Sequence, residues 1–252
     1  MSPWPILTCA GLLSMAGSSA LTFHGYSAGS TLLLIGTVTT TFVVTLWLRD
    51  VSAEGTACGY HTFAVQRGLH MGFVLFLVSE IFVFVSVFWA YFHLALAPSV
   101  ELGGHWPPTG IAAVDYLGLP LANTILLLSS GATVTYAHHA IMAGKDRRAA
   151  IVGLIATVVL ATVFMGIQAF EYIEAPFTIA DGAFGSTFFA STGLHFFHVL
   201  IGTVFLSVGL YRMIAYHFTT HHAVGLEAGI LYWHMVDVVW LFLYVAVYWW
   251  AA

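Results

Sequence analysis

The run GLHMGFVLFLVSEIFVFVSVFWAYFHL, residues 68–94, constrains this chain more than any other stretch. About 20 residues at about 1.5 Å rise each cross the ~30 Å hydrocarbon core of a bilayer, so the run predicts a membrane-spanning helix. Near its middle stands Glu80, with Phe76, Leu77, Val83 and Phe84 around it at helical spacing. A carboxylate at that depth is disfavoured by about 2.5–3.5 kcal/mol on insertion scales. A residue that persists there is neutral, paired or turned toward a protected cavity.

Six further apolar segments accompany this one. The seven expected spans are residues 5–23, 28–48, 68–94, 119–142, 149–173, 184–211 and 224–250. The chain is 60% hydrophobic and only 7% charged, against roughly 25% charged in soluble domains. These figures predict an all-α integral membrane protein with seven transmembrane helices. The first span is rich in Gly, Ala and Ser, which suits close packing against a partner helix. Six Lys and Arg and a formal charge of −5 leave no basic stripe for nucleic acid. Cys9 and Cys58 form no zinc or disulfide pattern. The opening MSPWP has no basic n-region, so no signal peptide is expected.

The charges set an orientation. Arg49 and Arg67 bound the connection between spans two and three, Lys145, Arg147 and Arg148 join four and five, and Arg212 closes six. Seven spans place all six on one side, while Glu101, Asp115, Glu174 and Asp181 lie on the other. The positive-inside rule then puts the N-terminus on the cytoplasmic or matrix side and the C-terminus opposite. The expected organisation is one membrane domain with a two-helix sub-bundle at 1–48, a basic-side loop at 49–67 and a five-helix sub-bundle at 68–252. A second long loop, 95–118, carries ELGGHWPPTGI, whose Pro107-Pro108 pair and glycines predict a non-helical path.

Thirteen histidines raise the question of haem or metal. His195 and His198 share one helical face, as do His234 and Asp237. Such pairs bind metals in some proteins, but in a helix bundle they are more commonly interhelical hydrogen-bonding contacts, and that is the expectation for all four, with no metal site. Asp237 is deep and needs a partner, with His234 the nearest in its own helix. Glu171 and Glu174 are expected at a solvated helix end. Arg49 and Arg67, beside Trp47 and His61, read either as topogenic charges or as ligands for lipid phosphates. No catalytic triad, phosphate loop or nucleotide fingerprint is present. Two classes stay open on the residues alone: a proton- or solute-moving protein, or a non-redox subunit packed against a larger membrane enzyme.

Longer motifs narrow this. SPWP at 2–5, WLRDV at 47–51, SEIFVFVSVFWAYFH at 79–93 and LAPSVELGGHWPPTGI at 96–111 are joined by LANTILLLSSG at 121–131 and YAHHA at 136–140. FEYIEAPFTIADGAFGSTFF at 170–189, TGLHFFHVLIG at 192–202 and HFTTHHAVGLEAGILYWHMVDVVWLFLYVAVYWW at 217–250 complete the set. Over essentially its whole length the chain resembles subunit III of cytochrome c oxidase, in the haem–copper oxidase superfamily. Departures such as Tyr136 in place of a common tryptophan alter packing alone.

The resemblance implies a non-redox core subunit of a proton-pumping oxidase, without catalytic residues or bound metal, and with haem a, haem a3 and copper held by partner subunits. It implies partnership with subunits I and II, accessory subunits and structural phospholipids, and membership of a respiratory supercomplex. The implied fold has helices 1–2 and helices 3–7 as two bundles around a lipid-filled V-shaped cleft. Glu80 matches the family's buried, carbodiimide-reactive carboxylate, and His61 matches a histidine near it. On this reading Glu80 is protonated or lipid-paired. Trp47, Arg49, Arg67, Arg212, His217 and His222 are the expected lipid contacts. The implied location is the mitochondrial inner membrane, N-terminus in the matrix and C-terminus in the intermembrane space, with a bacterial plasma membrane as the alternative. The third subunit of a quinol oxidase and an autonomous proton channel through Glu80 are the competing readings of function.

Overall fold

The computed structural model describes residues 2–100, 103–144, 146–218 and 223–251. Among the described residues seven α-helices follow one another: α1 Trp4–Phe23, α2 Gly29–Thr56, α3 Phe63–Leu96, α4 Leu119–Met142, α5 Arg147–Glu174, α6 Gly182–Ile214 and α7 Val224–Leu243. A π-helical turn, Tyr244–Trp249, continues α7. Six of the seven are both long and apolar enough to cross a membrane. The other, α4, has 24 residues, about 36 Å of helix, and is long enough. It is less apolar, with hydroxyl-bearing residues along its length and His138 and His139 near its end, and its Asn123, Thr124 and Ser130 are buried inside the bundle. Trp240 Nε1 donates to Thr124 Oγ1 at 3.0 Å and Trp233 Nε1 to Ser130 Oγ at 2.9 Å, so these hydroxyls join α4 to α7.

The loop expected at 49–67 is much shorter. Helix α2 continues to Thr56 and α3 begins at Phe63, which leaves only residues 57–62 between them. Apolarity marks where a helix leaves the bilayer, not where it ends. RDVSAEGT at 49–56 contains no proline, so nothing in it removes a backbone hydrogen bond.

The chain forms two compact units, Met1–Ala64 and Val65–Ala252. In the first, α1 and α2 make an antiparallel hairpin whose contact is built from small residues. A Cβ at Gly36 would lie 3.3 Å from Ser14 Oγ and Met15 Cγ, and one at Gly29 only 2.6 Å from the Thr22 backbone nitrogen. Near the other end of the hairpin Trp4 Nε1 donates to Asp50 Oδ2 at 2.8 Å.

In the second unit α7 is the central helix: 12 of its 20 residues are buried, whereas α3 buries 4 of 34. Small residues again set the close approaches. Gly202 of α6 faces the Trp233 ring, 2.9 Å from where a Cβ would sit, and Gly153 of α5 faces Ala137 of α4 at the same distance. Helix α3 is held differently, through large rings. Phe73 meets Phe205 at 6.1 Å, Phe84 meets His198 at 4.8 Å and Phe88 meets Phe242 at 4.6 Å. The loop after α3 returns to the bundle through Trp106, whose Nε1 donates to Tyr91 Oη at 3.3 Å.

Candidate functional site: an intramembrane glutamate–histidine pair

Glu80 lies midway along α3 and His198 midway along α6, 118 residues apart in sequence. Their side chains meet with His198 Nε2 2.8 Å from Glu80 Oε2. The imidazole is enclosed, its side chain 6% exposed, while that of Glu80 is 22% exposed. Phe84 and Tyr232 flank the ring, the latter nearly parallel at 12°. The other ring nitrogen, Nδ1, lies 2.7 Å from the Leu194 carbonyl oxygen.

That carbonyl only accepts, so Nδ1 carries a hydrogen and donates it. One further proton is needed for Nε2 and Oε2 to be hydrogen-bonded. It sits on the carboxyl, giving a neutral acid against a neutral imidazole, or on the ring, giving an ion pair. Either way the pair has no net charge. The intramembrane carboxyl is thus accommodated by a partner on another helix, which also ties α3 to α6.

The other histidines and Asp237 take separate places. His195 Nε2 lies 3.2 Å from the Val236 carbonyl of α7, its ring between Phe164 and Trp240. His234 Nε2 lies 3.4 Å from Thr135 Oγ1 of α4. Its Nδ1 is 4.0 Å from Asp237 Oδ2, beyond hydrogen-bonding distance. Asp237 Oδ2 instead lies against Gly131 of α4, at the point a Cβ there would need.

The residues singled out for lipid contact fall in both units. Trp47 lines a recess of about 360 Å³ with Pro3, Trp4, Asp50 and Glu54. Arg49 grips its neighbour, with Nε and Nη2 on Asp50 Oδ1 at 3.1 and 2.8 Å, so its charge is matched within the chain. His61 stands in the short connection after α2, its ring against Gly55. In the second unit Arg67 is exposed on the first turns of α3. Arg212 lies over the Phe218 ring at 4.5 Å, and the exposed His217 donates its backbone N–H to the Arg212 carbonyl at 3.0 Å. His222 lies outside the described residues.

A further expectation is overturned at the end of α5. Glu171 is not at a solvated helix end: it is 3% exposed. Tyr248 Oη donates to its Oε1 at 2.7 Å and Gln168 Nε2 at 3.1 Å. Asn123 Nδ2 donates to Gln168 Oε1 at 3.0 Å. Proximity to the helix end suggested water, but the following FTIADGAF segment folds back, and Phe177 and Phe184 are buried there. Gln168, one turn before Glu171 on the same helix face, is the sequence signal for this cluster.

Comparison with known proteins adds a further finding. The family model described as Cytochrome c oxidase subunit III matches residues 1–252. The chain is 59% identical to Cytochrome c oxidase subunit 3 of Rhizopus stolonifer over 249 residues, covering 99% of this chain and 88% of that one. Against the protein of the same name from Mycosarcoma maydis, identity is 56% over 256 residues, 100% of this chain and 93% of the relative. Against that of Marchantia polymorpha it is 53% over 249 residues, covering 99% and 94%.

Proposed function

Because the chain belongs to the cytochrome c oxidase subunit III family, we propose that it serves as a non-redox core subunit of the respiratory oxidase that passes electrons from cytochrome c to oxygen and pumps protons. The match over residues 1–252 carries this reading. Haem a, haem a3 and copper belong, in this proposal, to partner subunits I and II. The chain's own work is to stabilise the catalytic subunit, hold phospholipids and sustain proton uptake on the basic side. Its place is the mitochondrial inner membrane, with the N-terminus in the matrix. Neither a quinol oxidase nor an autonomous proton channel is favoured by the relatives' names.

The geometry supports a supporting rather than a conducting role. Glu80 and His198 satisfy each other, and His198 Nδ1 is taken by the Leu194 backbone. A conducting group must pass its proton onward, whereas this histidine ends on a carbonyl that only accepts. The pair therefore acts as a neutral cross-brace between α3 and α6 that keeps a carboxyl poised at bilayer depth. Arg67, Arg212 and His217, with Trp47 and Arg49, supply the contacts for anionic headgroups in this proposal.

Isolation of an affinity-tagged chain from gently solubilised membranes tests the assignment. Co-purification with haem a and ferrocytochrome c oxidation is the expected result. A haem-free isolate that conducts protons alone in liposomes would overturn it.

A further inference from the structure

The cluster around Glu171 has no part in the function proposed above. Four side chains from α4, α5 and the π-helical end of α7 form it: Asn123, Gln168, Glu171 and Tyr248, none more than 3% exposed. Asn123 Nδ2 donates to Gln168 Oε1 at 3.0 Å, and the donors that reach Glu171 all meet one of its two oxygens. Tyr248 Oη and Gln168 Nε2 both donate to Glu171 Oε1, and Gln168 Nε2 also reaches Tyr248 Oη at 3.3 Å. Two buried oxygens of the cluster are left without a partner, Glu171 Oε2 and Asn123 Oδ1. Both are acceptors when Glu171 is ionised, so the cluster is then short of a donor at both.

A proton on Glu171 Oε2 turns that buried acceptor into a donor and removes the ionised carboxylate's unmet demand, while Asn123 Oδ1, on the amide already bonded to Gln168, remains an acceptor. The electrostatics agree. Both groups that donate to Glu171 are neutral, and the adjacent titratable side chains, Tyr172 and Tyr248, are phenols. Tyr172 is itself engaged, donating to Thr192 Oγ1 at 2.7 Å. No cation pairs with Glu171 among the described residues, and an ionised carboxylate this deeply buried without one is strongly disfavoured.

A second observation points to the same place. The backbone of Tyr244–Trp249 is π-helical, and Trp250 N–H bonds the Val245 carbonyl five residues back at 3.0 Å. Such turns are rare and frequently mark functional positions. This one carries Tyr248, the residue whose hydroxyl meets Glu171. One turn beyond Glu171, at the end of α5, Glu174 is exposed, so the cluster lies one helical turn inside the end of that helix.

We propose that Glu171 is a proton-holding site: a neutral carboxylic acid at the acidic-side end of the bundle, stored against Tyr248, Gln168 and Asn123 one turn below Glu174. The proposal is independent of the Glu80–His198 pair and of the identity of the partner subunits.

Infrared difference spectroscopy at neutral pH tests it on the intact complex as purified, wild type against Glu171→Gln, Glu174→Gln and Tyr248→Phe. Glu171→Gln is expected to remove one protonated-carboxyl C=O band. Glu174→Gln is expected to leave that band in place and to remove carboxylate stretches instead. In Tyr248→Phe the same band moves to higher frequency, because its carbonyl oxygen loses a donor. Loss of carboxylate stretches in Glu171→Gln, with the carboxylic region unchanged, would overturn the proposal. Should Glu171→Gln fail to assemble, the Tyr248→Phe shift decides alone, and an unmoved band counts against it.

Discussion

Glu80 Oε2 and His198 Nε2 stand 2.8 Å apart between α3 and α6, and the Leu194 carbonyl 2.7 Å from Nδ1 sets which nitrogen is free to meet the carboxyl. Helix α3, which otherwise leans on the bundle through aromatic rings, gains from this pair its one described ion-pair-type tie to another helix.

Removing either partner leaves the other unsatisfied. Glu80→Ala, His198→Ala and the double variant form a cycle whose coupling is expected at about 0.6–1.7 kcal/mol, the range for polar contacts inside membranes. Thermal inactivation of the purified complex measures it. Zero coupling would mean that the pair does not brace α3.

Gly131 faces Asp237 so closely that a Cβ would overlap Oδ2. Gly131→Ala is therefore expected to force the buried Asp237 carboxyl out of its place between α4 and α7 and to destabilise the bundle by about 1–3 kcal/mol, as overpacking does. Gly166, where a Cβ meets nothing within 4 Å, is the control. The yield of folded complex and its midpoint of thermal unfolding report the difference, and equal behaviour of the two alanine variants would contradict the packing described.

Arg49 and Arg67 differ in what they offer a lipid. Asp50 already holds Arg49 at 2.8 Å, while Arg67 is exposed. Arg67→Ala is expected to lower bound anionic phospholipid more than Arg49→Ala does. Lipid counting by native mass spectrometry of the two variants checks this, and an unchanged count in both would remove these arginines from the lipid-holding role.

Trp240 donates to Thr124 at 3.0 Å inside the core. Thr124→Val leaves the indole N–H buried without that acceptor, a change of about 1–3 kcal/mol in the destabilising direction. Combined with Trp240→Phe, which removes the donor as well, the penalty from the stranded N–H should shrink. Denaturation of the single and double variants measures it.

The helices were legible in the sequence because bilayer thickness converts directly into apolar length. Their ends were not: α2 runs eight residues past Leu48 to Thr56, since a helix outlasts the apolar stretch once its backbone bonds continue into water. Glu80 announced itself by its isolation among apolar residues, yet its partner is 118 positions away, and only the fold brings the two together. Helical spacing placed Asp237 beside His234, and the two stand 4.0 Å apart, but spacing could not show that the same carboxyl oxygen also occupies the space that Gly131 leaves on α4. Glu171 was misread because a residue near a helix end is taken as wet unless the next segment is known to cover it. The family resemblance, by contrast, rested on long motifs and extends over residues 1–252.

The most direct test of the central claim is to strip this chain from the purified oxidase and measure haem and copper in both fractions, together with turnover of the remainder. The account predicts that all haem a and copper stay with the remaining subunits, and that the depleted enzyme still oxidises cytochrome c at first but loses activity during turnover faster than the intact complex. Haem or copper leaving with this chain would contradict it, as would a depleted enzyme indistinguishable from the intact one.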